Sequence, residues 1–413
     1  MRVCIHRGAH QIGGSCVEVE SKGQRLLLDL GLPLDALENL PELLPEVPGL
    51  CEPSDSLLGV LISHPHQDHY GLLTHVRPDL PVAMGAAGRR ILEAAAPWMP
   101  SGAVVPNPGP VLKDRETFEW GPFRVTPYLM DHSAFDAYAL LVEADGRRIL
   151  YSGDFRAHGR TAWRFDRMLE HPPKNVDALL MEGSSLGRLD LDARFSTESE
   201  LEEEMVAAFK ATEGIALVAA SAQNIDRLVT LFRSAKRSGR RLVIDLYTAA
   251  ILEATGHPSI PQADWDGVAL YVPRYQRQQI IRQEAFELLD RHQKHRIFPE
   301  QLASEAPNSV LLFRTIHQKD LVDAGALEGA RLFYSLWEGY LKQPSGMALE
   351  SWAQTQGIPM MLLHTSGHAS PADLKRFVTV IDPKILVPIH SFNPERYEYL
   401  SSRVERHEDG KWW

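Results

Sequence analysis

Leu57-Leu58-Gly59-Val60-Leu61-Ile62-Ser63-His64-Pro65-His66-Gln67-Asp68-His69 decides how this chain reads. The first six residues are an apolar run of the length expected of a buried strand. The last six pack three imidazoles and a carboxylate behind it. Imidazole nitrogen suits zinc and its transition-metal neighbours, and carboxylate oxygen completes such a site. His64 and His66 stand two apart, so an extended backbone points both the same way. Asp68 and His69 follow at the turn, within reach of a second ion. A solvated histidine-rich loop is the competing account.

The chain has 413 residues, enough for two ordinary domains with sizeable cores. Its 43 basic residues face 54 acidic ones, a net charge of −11. That excludes a globally basic nucleic-acid coat but leaves room for a local basic groove. Cys4, Cys16 and Cys51 form no CxxC pair and read as buried or semi-buried thiols of a reducing compartment. Met1 to Gly8 holds no long apolar core for secretion, and no apolar stretch approaches ~18 residues, so no membrane span is expected. The expected location is cytoplasmic.

One pattern recurs along residues 1–190: an apolar strand, then a metal-capable side chain. Asp29 closes the strand from Arg25 to Gly31. His132 follows Phe123 to Met130, Asp154 follows Arg148 to Ser152, and Glu182 follows Val176 to Met181. Each alone is as well explained by a turn carboxylate or a core histidine. Their recurrence points to one rigid edge that gathers ligands.

From about residue 190 the texture changes. Ser196 to Thr212 reads as a helix with a capped start, and Asn224 to Arg237 as another. Strands are expected over Gly214 to Ala220, Arg241 to Leu246, Ser309 to Arg314 and Arg331 to Ser335, with a long polar helix over Pro273 to His295. The alternation implies a parallel sheet, hence a second α/β domain over residues 191–357. Pro359 to His364 and Lys384 to Ile389 are apolar strands that each lead to histidines. They read as the first domain resuming over residues 358–413, so that the second domain is an insertion.

Asp29, His64, His66, Asp68, His69, His132, Asp154 and His390 now form one set. In order, spacing and setting it resembles the metallo-β-lactamase superfamily. The matching motifs are Leu26-Leu27-Leu28-Asp29-Leu30-Gly31, the stretch from His64 to Gly71, the strand-end His132, and Tyr151-Ser152-Gly153-Asp154-Phe155. Leu180-Met181-Glu182-Gly183, Thr365-Ser366-Gly367-His368-Ala369 and Val387-Pro388-Ile389-His390-Ser391 resemble motifs A, B and C of the β-CASP nucleases, the branch that acts on nucleic acids. Gly214 to Arg241 and His132-Ser133-Ala134-Phe135-Asp136 are similar to stretches of ribonuclease J. Glu182 is closer to the cleavage-and-polyadenylation type of endonuclease. Ser391-Phe392-Asn393-Pro394 departs from the usual glycine after motif C.

The resemblance implies an α/β fold: an αββα sandwich with a two-metal site at one edge and an inserted parallel α/β β-CASP domain. It implies that His64, His66 and His132 hold one ion, that Asp68, His69 and His390 hold the other, and that Asp154 bridges both. Asp29 would sit behind the metals and fix the loop by hydrogen bonds. Glu182 and His368 would form an acid–imidazole pair at the scissile phosphate, and with Asp68 they are the expected catalytic residues. Two zinc ions are implied, with manganese the alternative given so many oxygen donors. Such a pair clamps a phosphate and lowers the pKa of a bridging water towards ~7. The implied activity is hydrolysis of RNA phosphodiester bonds through a metal-bridging hydroxide, since His390 in motif C leans towards RNA over DNA. Roughly twenty residues follow motif C. A counterpart of the C-terminal domain that aids dimerisation in ribonuclease J is therefore not expected within this sequence.

Arg233, Lys236, Arg237, Arg240 and Arg241 form a basic run with no acid between them. It reads either as a solvated helix end or as a phosphate-tracking edge. By the resemblance, Ser221, Asn224, Thr365 and Ser366 would bind a terminal phosphate, with Arg237 and Arg241 as further substrate contacts. Single-stranded RNA is the expected substrate, and a homo-oligomer or an RNA-presenting partner the expected association. Competing readings are a small-molecule ester, lactone or phosphodiester hydrolase of the same fold, a DNA nuclease, and a non-catalytic scaffold. The complete ligand set argues against the last. His6, His10, His75, His158 and His317 have no motif partner and read as ordinary residues.

Overall fold

Two six-stranded sheets grow from segments whose side chains alternate in direction. The computed structural model describes residues 1–99, 105 and 107–413. The first sheet runs β1 (Arg2–Arg7), β2 (Cys16–Ser21), β3 (Gln24–Leu28), β4 (Leu57–Leu61), β5 (Pro81–Gly85) and β6 (Asn107–Leu112), antiparallel up to β3 and parallel thereafter. The second takes β7 (Phe118–Trp120), β8 (Phe123–Leu129), β9 (Tyr138–Ala144), β10 (Arg147–Tyr151) and β11 (Ala178–Met181) in that order, and closes on the strand Ile385–Pro388.

Alternation along β9 shows why the sheets stack. Tyr138, Leu140 and Val142 join a core with Val17, Val19, Leu26, Leu28 and Leu61 of the first sheet. Ala139 and Leu141 join a different core, with Phe165 and Phe377. The first sheet's other side packs Leu27, Val60 and Ile62 with Tyr70 of α1 (Gln67–Tyr70) and Leu92 of α2 (Ala86–Ala95). Phe165 belongs to α3 (Trp163–Glu170) and Phe377 to the helix Pro371–Ile381. The result is a helix–sheet–sheet–helix sandwich. Burying each such leucine or phenylalanine contributes about 1.5–3 kcal/mol.

Contacts divide the chain into Met1–Phe195 with Gly367–Trp413, and Ser196–Ser366. The second unit is built on seven parallel strands: β12 (Ala216–Ala219), β13 (Arg241–Ile244), β14 (Val268–Tyr271), β15 (Arg296–Ile297), β16 (Ser309–Phe313), β17 (Arg331–Tyr334) and β18 (Met360–Leu362). Their spatial order is β15-β14-β13-β16-β12-β17-β18. Strands such as Ala216-Leu217-Val218-Ala219 are buried throughout, which is why they read as unbroken apolar runs. Thr197 and Glu200 cap α4 (Glu198–Lys210) reciprocally. Asn224 caps α5 (Ile225–Arg237), and Asp245 caps α6 (Leu246–Ala254).

Four expectations change. The apolar run from Pro359 to His364 does not resume the first unit. Met360 pairs with Leu332 of β17, so the strand closes the seven-stranded sheet. An apolar run fits either sheet, and only the ladder register decides. The contact boundaries fall at Phe195/Ser196 and Ser366/Gly367 rather than after residues 190 and 357. The helix expected from Pro273 to His295 breaks at Glu284, whose left-handed backbone (φ 55°) ends Arg274–Gln283 before Phe286–His292 begins. Cys51 is exposed, whereas Cys4 and Cys16 are buried.

Candidate metal centre

Strand ends of the sandwich deliver the polar side chains. Asp29 follows β3, His64 and His66 follow β4, and α1 carries Asp68 and His69. His132 follows β8, Asp154 follows β10, Glu182 follows β11, and His390 follows the strand Ile385–Pro388. His368 lies just before the helix Pro371–Ile381. They converge into three groups that could each hold an ion: His64, His66 and His132; Asp68, His69, Asp154 and His390; and Asp154, Glu182 and His368. Within each group one ligand atom per residue lies within 4.8 Å of the others. Asp154 Oδ2 is 3.1 Å from His69 Nε2, 3.6 Å from His390 Nε2 and 3.8 Å from His64 Nε2. His368 Nδ1 is 3.6 Å from the same oxygen.

Supporting bonds fix the rings. Asp29 accepts from Ser63 N (2.7 Å), Ser63 Oγ (2.7 Å) and Tyr151 Oη (2.6 Å), and lies 2.7 Å from His69 Nδ1. Its carboxylate therefore aims His69 Nε2 at Asp154. Ser63 Oγ is 3.0 Å from His64 Nδ1, and Ser15 Oγ is 2.9 Å from His390 Nδ1. Glu182 is buried and accepts from Phe155 N (3.1 Å) and Ser184 Oγ (2.9 Å), and its Oε2 stands 3.2 Å from His368 Nδ1. Two of these strand-end residues hold positive φ, Asp29 at 62° and His390 at 50°. At Gly31 the backbone passes so close to the loop that a Cβ would stand 1.8 Å from the Asp68 carbonyl oxygen.

The electrostatics suit a cation. Burial, together with the neighbouring imidazoles, holds His64 and His132 well below the usual histidine pKa. Burial takes His66 to about 4, and it lowers His390 as well. Neutral rings offer lone pairs. Burial opposes charge on His69, yet Asp154, Asp29 and Asp68 hold its pKa well above the usual value. Asp154 is buried too, which alone would raise its pKa, but His390, His69 and His368 pull it well below the carboxylate range. Burial likewise opposes charge on His368, and Glu182 and Asp154 lift it to about 9. Nε2 of His64, Nε2 of His390, Nδ1 of His132 and Oδ1 of Asp154 are buried without a hydrogen-bond partner. Mixed imidazole and carboxylate donors with unmet lone pairs fit divalent transition-metal ions.

The residues expected to contact substrate have other partners. Asn224 Oδ1 accepts from Arg227 N at 3.0 Å as the cap of α5. Arg237 donates to Glu202 at 2.8 Å and to both oxygens of Glu203 at 2.7 Å, and Arg241 pairs with Glu305. Arg233 pairs with Glu202 at 2.8 Å, and Arg240 donates to backbone carbonyls that include Gly214 at 2.7 Å. Three arginines of the basic run, Arg233, Arg237 and Arg241, are thus matched by acids distant in sequence. Thr365 Oγ1 donates to the Ser196 carbonyl and Ser366 is buried, while Ser221 is exposed and accepts from Gln223 N at 3.2 Å. The supporting roles of Ser15, Ser63 and Tyr151 escaped the sequence reading, because a hydroxyl near a strand end carries no distinctive signal. Among the described residues, no helix is long and apolar enough to cross a membrane.

Residues 11–196 match the family model of the metallo-beta-lactamase superfamily. Ribonuclease J of Synechocystis sp. is 22% identical over 93% of this chain and 59% of its own length. That of Helicobacter pylori is 22% identical over 93% and 55%, and that of Sinorhizobium meliloti 22% over 89% and 64%. The chain thus spans 55–64% of the length of these curated relatives. A crystal structure of a protein of unknown function from Enterococcus faecalis V583 aligns with a TM-score of 0.77 at 20% identity, covering 100% of this chain and 99% of that one. That likeness shows a shared fold.

Proposed function

We propose that this chain is a member of the metallo-β-lactamase superfamily, whose family model matches residues 11–196, and a two-metal hydrolase of RNA phosphodiester bonds. The observation that carries the reading is the cluster of buried imidazole nitrogens and an Asp154 oxygen left without hydrogen-bond partners at the strand ends. Similarity to ribonuclease J over most of the chain supports RNA as the substrate. His64, His66 and His132 would hold one ion, Asp68, His69 and His390 the other, with Asp154 between them. When bound, two such ions supply Lewis acidity to a phosphoryl oxygen and make water acidic enough to attack at neutral pH.

The chain's own groups do the rest. Asp29 orients His69 through its Nδ1. Glu182 holds His368 in the charged form, so His368 is the acid that gives its proton to the leaving oxygen as the P–O bond breaks. Water supplies the oxygen gained by phosphorus. The products are an alcohol and a phosphate monoester. Zinc as the metal, single-stranded RNA as the strand, a contact from Ser221, a partner or second copy, and a cytoplasmic location belong to the same proposal.

The test is cleavage of short RNA and matched DNA, each with a 5′-phosphate or a 5′-hydroxyl, with added zinc or manganese. Metal-dependent cleavage of RNA that the Asp154→Ala variant lacks is the expected result. Preference for DNA, or cleavage that survives Asp154→Ala, overturns it.

A further inference from the structure

We propose that Arg227, with Glu198, is a positioning residue that fixes the chain leading to His368. The inference rests on the ribonuclease reading above. Arg227 and Glu198 are fully buried in the second unit, where a bare charge is not tolerated. The Asn224 cap sets the first turn of α5 and so places Arg227. All five N–H groups of the guanidinium are used. Nε and Nη2 donate to Glu198 at 3.3 and 3.1 Å. Nη1 donates to both the carbonyl (3.1 Å) and the hydroxyl of Ser335. Nη2 also donates to the Thr365 carbonyl at 3.2 Å.

The remaining bonds tie the same segment. Ser335 Oγ donates to the Leu363 carbonyl, Leu363 N donates to Tyr334 O at 2.9 Å, and Thr365 Oγ1 donates to Ser196 O. Thr230 Oγ1 donates to Glu198 at 2.6 Å and completes its carboxylate. The network therefore grips residues 363 and 365, whose chain runs through Ser366 and Gly367 to His368. Gly367 has no slack either, because a Cβ there would stand 2.5 Å from Ser133 Oγ.

A buried ion pair contributes little net stability, and apolar replacements often match it. Simple adhesion of α4 to α5 needs no such pair, whereas holding carbonyls at a strand end does need a multi-donor fork. Lysine brings three donors in place of five.

The experiment uses the full chain loaded with zinc, as wild type, Arg227→Lys, the Glu198→Gln/Arg227→Met double variant and His368→Ala. Each is given RNA, whose alkoxide leaving group needs a proton, and the p-nitrophenyl ester of thymidine 5′-phosphate, whose leaving group does not. For Arg227→Lys, kcat on RNA falls about tenfold or more with KM little changed, while turnover of the ester stays within about twofold. His368→Ala sets the scale of the loss on RNA, and bound zinc is unchanged in Arg227→Lys. Equal loss on the two substrates, or none, overturns the proposal. If Arg227→Lys fails to fold, the double variant, which buries no lone charge, carries the same expectation. Hydrogen exchange over residues 361–369 reads the positioning without any substrate. Faster exchange confined to that segment is expected, and unchanged exchange overturns the proposal. Should the wild type cleave only the ester, the RNA reading fails, and the exchange result alone decides the positioning role.

Discussion

Buried polar atoms are treated in opposite ways at two places in this molecule. At the strand ends of the sandwich, nitrogens of His64, His132 and His390 and an oxygen of Asp154 are sealed from water with nothing to bond. In the second unit Arg227 is just as deep, and every N–H it owns has an acceptor. An unmet buried group costs about 1–3 kcal/mol. Four such atoms gathered in one place, imidazole nitrogens and a carboxylate oxygen, make up the donor set of the proposed metal centre. A saturated group describes architecture. The difference separates sites from scaffolding better than residue type does, since both places are rich in charge.

The comparison can be broken from either side. Asp154→Ala removes the carboxylate shared by two of the three groups, and turnover should fall by about three orders of magnitude with loss of bound metal. Retained metal with full activity would show that the unmet atoms are not the metal's address. His368→Ala should lower kcat about a hundredfold while metal content, read by elemental analysis, stays at the wild-type level. Asp29→Asn should weaken metal affinity about 10–100-fold in a chelator competition, because Asp29 orients the ligand His69 from behind and holds Ser63 in place.

The satisfied side gives smaller effects. His6 is 2.7 Å from Glu18; burial opposes its charge, but Cys4 and Glu18 lift its pKa to about 9. Its unfolded value is near 6.5, so the added stability is complete below pH 6.5 and lost as pH rises through about 9. Thermal melts between those limits should fall by about 2 °C, and Glu18→Gln should flatten the slope. Smallest of all, Arg237→Ala should change RNA affinity less than about twofold, because Glu202 and Glu203 already occupy that guanidinium. A steep loss of both affinity and salt dependence would show the ion pairs opening to phosphate.

Much of this was legible in the chain, for identifiable reasons. Ligand-type side chains at strand ends announce themselves through the apolar run in front of them, as His64 and Asp154 do. The helices beginning at Thr197 and Asn224 carry their caps in the sequence. What stayed hidden depends on partners far along the chain. Glu202, Glu203 and Glu305 neutralise Arg237 and Arg241 from 35, 34 and 64 positions away. Met360 to Leu362 is apolar whichever sheet it joins, so sequence cannot assign it. The break at Glu284 uses a left-handed backbone that glutamate does not advertise. The hydroxyls of Ser15, Ser63 and Tyr151 become meaningful only once three strands meet.

The positive φ of His390 has a consequence for how this position tolerates change. Its backbone favours glycine or asparagine, while the proposed chemistry needs an imidazole. A saturation library at residue 390, sorted by folding, should therefore drift towards Gly and Asn. The same library sorted by turnover should return to His. Few positions rank their alleles in opposite order under the two selections, and such a reversal marks a residue retained for what it does rather than for how it folds.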